Sequence, residues 1–281
     1  MYEAPLPALE RVERDGLIWF QDTELLDSLG LLVAFSTRAG GASQDPYASL
    51  DLASHSGDEP RLVDENRARL ARALGLDPTA LVSAEQVHGD DVFVAGTRDA
   101  GRGARTAAGP ERVSAVDALV TAAPGVPLLM MYADCVPVVI VAPGTRPAVG
   151  VVHAGWKGAL AALPGKVAQV VAVEAGCPTG GLNAYIGAHI GPCHYEVDQG
   201  LAAAFEQRFA GVSHSVSMAA VAPRVDLGEA VSQALTSAGL RPGRITKLGM
   251  CTAEHPELFY SYRAEGRTGR HGAVAAVLPC A

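Results

Sequence analysis

Three side chains able to hold a soft divalent metal stand where strand-like runs begin or end: His88, Cys135 and His153. His88 closes one apolar run, Cys135 interrupts a long one within Ala133-Asp-Cys-Val-Pro137, and His153 ends the next. One thiolate and two imidazoles make a zinc donor set. Three protein ligands leave the fourth tetrahedral position open, as a catalytic zinc requires. Such an ion acidifies bound water and polarises an attacking or leaving group. The separations of 47 and 18 residues match no compact zinc motif. Residue types alone therefore leave a second reading open, in which Cys135 is a buried thiol acting as a small hydrophobe beside two strand-end histidines. A third is covalent: a Cys135 thiolate with His88 or His153 as base would be a cysteine hydrolase or amidase.

Two further stretches could bind anions. In His153-Ala-Gly-Trp-Lys-Gly158, the glycines flanking Trp156 let backbone approach a ligand closely, and a following helix would offer unpaired N–H groups that Lys157 supplements. A tight strand-to-helix turn would need the same glycines. Ser36-Thr-Arg38-Ala-Gly-Gly41 pairs the planar fork of Arg38 with free backbone, suited to phosphate or to a plain surface turn. Tyr260–Arg270 sets Arg263, Arg267 and Arg270 among glycines and tyrosines, either a phosphate- or sugar-contacting surface or a solvated loop. There is no G-x-S-x-G elbow, H-E-x-x-H helix, G-x-G-x-x-G fingerprint or EF-hand loop. Pro192-Cys193 lacks the second cysteine of a cytidine-type deaminase.

The elements that must carry these residues are short β-rich runs alternating with a few helices. Strands are expected at Leu17–Phe20, Leu32–Ser36, Leu81–Val87, Val92–Ala95, Asp117–Ala122, Leu128–Tyr132, Val136–Ala142, Ala148–His153 and Asn183–Ile190, with strand-like Leu258–Tyr262 and Ala273–Leu278. Helices are expected at Glu59–Leu74, Gly158–Ala175, Gln199–Phe209 and Leu227–Ala238. Residues 38–58 read as a long polar loop, of the kind that is functional or mobile, and 97–112 as an exposed, poorly ordered one. No low-complexity linker or fixed repeat divides the chain, so residues 1–281 read as one domain.

With 49% hydrophobic and 19% charged residues, the chain can bury a sizeable core and is no disordered tail. Its net charge of −8 disfavours a nucleic-acid coat or a binder of anionic membrane. The longest apolar stretch, Val126–Ala142, carries Asp134 in its middle, which argues against a membrane span. An acidic, proline-bearing N-terminus is unlike a signal peptide, and five cysteines (135, 177, 193, 251, 280) without a C-x-x-C pair suit a reducing compartment. A cytoplasmic protein, monomeric or homodimeric, is the expectation.

Taken in order, Gln86-Val-His-Gly89, Asp117-Ala-Leu-Val-Thr121, Ala133-Asp-Cys-Val-Pro137, His153-Ala-Gly-Trp-Lys-Gly158, Ile190-Gly-Pro-Cys193, Cys251-Thr252 and Phe259-Tyr-Ser-Tyr-Arg263 resemble the YfiH-like family over residues 32–277. That family is also called laccase-domain or multicopper polyphenol oxidoreductase, peptidoglycan editing factor and purine nucleoside phosphorylase. The resemblance implies an α+β domain of mixed sheets packed with helices, of the YfiH and toxin-deamidase type. It also implies zinc on His88, Cys135 and His153, with copper the lesser alternative. The implied activity is phosphorolysis of adenosine, inosine, guanosine and methylthioadenosine, with adenosine deamination as a side reaction. Arg38 would then be a phosphate ligand, and His55, Trp156, Lys157 and Arg263 would contact substrate. Amidase chemistry linked to peptidoglycan precursors and copper oxidation of polyphenols are the alternatives. The latter wants paired histidines, and none of the eight here falls in an H-x-H run. Asp51 stands where the family usually has Asn, Val116 where Ala is common, His194 where many members carry a second Cys, and Glu229-Ala230 where Asn-Arg is usual.

Overall fold

The computed structural model describes residues 5–106, 109–214 and 222–279; Cys280 lies outside them. From the N-terminus, β1 (Glu10–Arg14) and β2 (Leu17–Gln21) form a hairpin on Asp15-Gly16, both with positive φ, followed by α1 (Thr23–Leu29) and β3 (Leu31–Ser36). A long loop leads to α2 (Pro60–Ala73), β4 (Val82–Ser83), β5 (Val92–Val94) and β6 (Ala118–Thr121). Next come β7 (Leu128–Tyr132), β8 (Val136–Ala142), β9 (Ala148–Ala154), α3 (Trp156–Leu160), α4 (Leu163–Ala175) and β10 (Asn183–Ile186). The remainder holds α5 (Gln199–Arg208), β11 (Ser213–His214), β12 (Arg224–Val225), α6 (Leu227–Ser237), β13 (Ile245–Lys247), α7 (Tyr262–Glu265) and β14 (His271–Val277).

Two six-stranded mixed sheets result, ordered β1-β2-β3-β14-β7-β4 and β13-β10-β8-β9-β6-β5, with β11-β12 a separate ribbon. Their central strands (β3, β14 and β7 in one, β10, β8, β9 and β6 in the other) are buried on both faces because each sheet is covered on both, whereas the edge strands β1, β5 and β13 are partly exposed. Val33 and Phe35 of β3 pack between the sheets with Val139, Val151 and Tyr185 of the second. Leu32 and Ala34, pointing the other way, meet Leu70, Ala71 and Leu74 around α2. On the far side of the second sheet, Val138, Ile140 and Val152 pack with Val167 and Val171 of α4 and Val231 of α6. A Cβ on Gly150 would come within 2.9 Å of Val167, so glycine there lets α4 close onto β9. The layers run helix, sheet, sheet, helix, in one mixed α+β domain as the sequence implies. Among the described residues no helix is long and apolar enough to cross a membrane.

Several expectations need correcting. The helix expected from Gly158 to Ala175 is two, because Ala162 takes a left-handed conformation (φ 58°) and Pro164 must sit in the first turn of α4. The five-residue α3 is too short to serve as the anion-binding helix inferred after Trp156. Leu258–Tyr262 is no strand: Phe259 and Tyr260 are buried, then Ser261 caps α7. Residues 38–58 do form a loop, but α2 pins it. Asn66 accepts from the Ala42 N–H and donates toward Ser43, Ser49 and Asp51, and Arg67 donates to the Leu52 carbonyl. Residues 97–112 are only partly an exposed loop. Asp99, Gly103 and Ala104 are buried, and the Gly103 carbonyl accepts from Arg67 and Ser83. β1 and β13 escape sequence reading because charge and brevity hide them.

Candidate metal centre and cleft

Strand order in the second sheet brings the three candidate ligands to one end. His88 precedes β5, Cys135 precedes β8, and His153 lies opposite Pro137 near the end of β9. Asp117, immediately before β6, ties them together. Its carboxylate accepts the backbone N–H groups of Val87, His88 and Gly89 at 3.1, 3.0 and 2.6 Å, and lies 2.7 Å from His153 Nδ1. Three N–H groups turned onto one buried carboxylate hold His88 in the left-handed region (φ 58°), and Asp134 beside Cys135 is also at positive φ (89°). Non-glycine residues keep such conformations only where surroundings over-determine them, which happens most often at functional sites.

The donor atoms of His88, Cys135 and His153 all lie within 4.8 Å of one another, with Cys135 Sγ 3.7 Å from His88 Nε2. In a tetrahedral zinc site the S–N edge is about 3.6 Å, from bond lengths of about 2.3 and 2.05 Å. The arrangement therefore fits one ion, with Asp117 occupying His153 Nδ1 and leaving Nε2 as the donor. Gly155 is where closeness matters: a Cβ there would stand 2.7 Å from the His88 ring and 3.3 Å from Cys135 Sγ. Burial opposes the Cys135 thiolate, but the His153 charge and hydrogen bonds from both imidazoles bring the thiol down to about 6. Burial likewise opposes a charged His153, yet the thiolate and Asp117 raise it to about 9. Burial also works against the Asp117 charge, and hydrogen bonds from His153 and Gly89 outweigh it, holding that carboxyl below its ordinary value.

These groups open on a cleft of about 470 Å³, within the range of small-molecule sites. His55, Trp156 and Arg263 line it, as the sequence reading wants of substrate contacts. So do Gln86, Tyr195, Tyr262 and Arg270. His55 is exposed to solvent, yet partial desolvation and the nearby charges of Arg270, Arg112 and Arg67 bring its pKa down to about 4. Arg263 lies over the Tyr195 ring at 5.2 Å and donates to the Glu196 carbonyl at 3.1 Å. Gln86 is locked by a reciprocal pair of hydrogen bonds with the Met131 backbone.

Arg38 is elsewhere. Its Nε donates to the Ala48 carbonyl and its Nη1 to the Pro256 carbonyl and the Glu265 carboxylate (2.9, 2.9 and 2.8 Å), and the guanidinium stacks on Tyr260 at 4.4 Å. It braces the 38–50 loop against the C-terminal segment and is not among the residues lining the cleft. Lys157 is exposed beside Trp156, its ammonium 5.5 Å from that ring, and it too is absent from the cleft wall. Sequence reasoning gave no role to Asp117, Gln86 or Tyr195. The first two are legible only as polar residues at the edges of apolar runs.

The fold is shared with solved structures: YlmD from Geobacillus stearothermophilus (TM-score 0.87, 32% identity, covering 97% of this chain and all of that one) and a YfiH protein of Bacillus licheniformis (TM-score 0.85, 28% identity, 94% and 97% covered). This is a protein of the YfiH and YlmD class. Residues 32–278 match the family model described as multi-copper polyphenol oxidoreductase laccase, and the chain belongs to that family. Among its relatives are proteins named purine nucleoside phosphorylase, from Corynebacterium glutamicum (36% identical, 85% of this chain and 92% of that protein) and Deinococcus radiodurans (38%, 86% and 87%).

Proposed function

We propose that the protein is a metal-dependent purine nucleoside phosphorylase that takes adenosine, inosine, guanosine and methylthioadenosine with phosphate to free base and sugar 1-phosphate, and deaminates adenosine as a side reaction. The observation that carries the reading is a thiolate–imidazole donor set opening onto one cleft with aromatic walls and two arginines. Relatives named for this activity support it.

In phosphorolysis a phosphate oxygen bonds to the sugar C1′ while the glycosidic bond breaks, its electron pair leaving on the purine. Trp156, Tyr195 and Tyr262 offer faces for the base. Arg263 and Arg270 supply the positive side of the cleft and would bind the phosphate there, since Arg38 does not line it. Neutral His55 can accept or donate a hydrogen bond to the sugar without adding charge. His88, Cys135 and His153 would hold zinc, which supplies a Lewis acid to stabilise charge on the departing base and, for deamination, an acidified water. Asp117 fixes the tautomer of His153 by occupying Nδ1.

A second reading rests on the 3.7 Å approach of Cys135 Sγ to His88 Nε2, which also suits a nucleophilic cysteine. One experiment separates them: purified protein is assayed on adenosine with and without phosphate, before and after chelation. Adenine release that needs phosphate and is lost on chelation and in Cys135→Ala supports the phosphorylase. Turnover that survives Cys135→Ala, or amide hydrolysis that improves on chelation, refutes it.

A further inference from the structure

A second cluster of residues able to bind a metal adjoins the segment that gives Ile190 and Tyr195 to the cleft wall. Two turns face each other there: Gly191–Tyr195, where His194 and Tyr195 N–H groups return to the Gly191 carbonyl, and Cys251–His255, where Glu254 and His255 N–H groups return to the Cys251 carbonyl. A backbone bridge between His189 and Cys251 sets them side by side. The donor atoms of Cys193, His194 and Cys251 lie within 4.8 Å of one another, and Cys251 Sγ is 3.9 Å from His194 Nδ1. Both sulfurs converge above Gly191, where a Cβ would meet Cys193 Sγ at 3.1 Å and Cys251 Sγ at 3.6 Å. The Gly191 N–H points at Cys251 Sγ (3.2 Å), the kind of outer hydrogen bond that steadies a metal thiolate. A Glu254 carboxylate oxygen stands 3.9 Å from His194 Nδ1, and both side chains are about half exposed, giving an ion a way in.

We propose that Cys193, His194 and Cys251, with a Glu254 carboxylate oxygen as the fourth donor, form a second, structural site for a tetrahedral thiophilic divalent ion such as zinc. Ligand edges in such a site are about 3.6 Å between S and N and about 3.8 Å between two sulfurs, so the separations here close onto one ion with only side-chain adjustment. The ion clamps the two turns that position the cleft wall. Tyr195 follows His194 directly, Arg263 donates to the His194 and Glu196 carbonyls, and Thr252 donates to Asp134 at 2.6 Å, next to Cys135. A closed four-ligand site suits this holding role, in contrast with the three-ligand set at His88, Cys135 and His153.

The test counts metal in the full chain expressed in zinc-supplemented medium, comparing wild type with Cys193→Ser/Cys251→Ser. The double variant is expected to hold about one zinc equivalent fewer by elemental analysis, whatever the occupancy of the Cys135 set, which it leaves intact. The difference is thus read independently of the proposed activity. Cobalt(II) reconstitution should lose the thiolate charge-transfer absorption of two sulfurs. Should the double variant prove insoluble, His194→Ala, at an exposed position, is expected to weaken metal retention against a chelator about tenfold or more. Equal metal in wild type and variant would overturn the proposal. So would a Cys193–Cys251 disulfide found by mass spectrometry in protein alkylated without reduction.

Discussion

Asp51 is fully buried beneath the loop that carries His55, and one substitution there tests the electrostatic account of that loop. Its Oδ1 accepts the N–H groups of Ala53 and Arg270 at 3.0 and 2.8 Å, and its Oδ2 accepts the Ser56 hydroxyl at 2.8 Å. Burial dominates and raises its pKa from 3.8 to about 6. The three hydrogen bonds pull the other way, and Asp58 adds to the rise. The sign follows from proton counting. Between roughly pH 4 and 6 the folded chain holds a proton that the unfolded chain has released, so stability falls as pH rises. A shift of about two pH units costs about 3 kcal/mol, present in full above pH 6. Asp51→Asn removes the charge and keeps the pattern: its carbonyl can still accept from Ala53 and Arg270. Its amide can donate to Ser56, whose hydroxyl already reaches the Ala53 carbonyl. The variant is expected to be more stable by about 1–3 kcal/mol at about pH 7.5, with the gain shrinking toward zero near about pH 4, measured by urea unfolding at both. A variant less stable than wild type at the higher pH, or a gain independent of pH, would refute the reasoning.

Three further outcomes are expected. Asp117→Asn keeps the shape but turns an amide N–H₂ toward backbone donors and weakens the hold on His153. Metal affinity should fall about 10–100-fold in chelator competition, and unchanged affinity would remove Asp117 from the site's design. Gly155→Ala is compatible with its backbone (φ −68°), so the fold should survive to within about 1 kcal/mol by denaturant unfolding. The crowded His88 ring must move, and metal retention should drop about tenfold or more. Asn66→Ala strands the Ala42 N–H and the Asp51 carbonyl together, so unfolding free energy should fall by about 2–5 kcal/mol. A loss under 1 kcal/mol would show that solvent replaces those bonds.

How much was legible depends on how local the cause is. β7, β8 and β9 stand out because every residue is buried and most are apolar, so pattern alone locates them within a residue. The ligand set was visible because histidine and cysteine sit at the ends of those runs, where a sheet delivers side chains to one edge. A glycine-rich arginine loop reads the same whether its guanidinium meets phosphate or protein, so the contact of Arg38 with Glu265, more than two hundred residues away, leaves no mark in the local sequence. Asp117 was hidden for a like reason: its partners are backbone N–H groups of a distant turn, which leave no mark in residue type.

The family's description points to copper oxidation and the relatives' names to phosphorolysis, and the supply of donors weighs between them. The chain has eight histidines. Among the described residues, the two gathered groups use only His88, His153 and His194. His189 is spent on the Gly187 carbonyl, His255 faces Glu257, and His271 is buried against the rings of Tyr132, Phe259 and Tyr260. Coupled copper centres need many imidazoles within bonding reach of neighbouring ions; His55 shares the cleft of His88 and His153 without joining either gathered group, and His189, His255 and His271 lie elsewhere. On the function proposed above, one thiolate with two imidazoles, held by a carboxylate behind and open to an arginine-bearing cleft in front, would serve polar group transfer on an anionic co-substrate by stabilising charge.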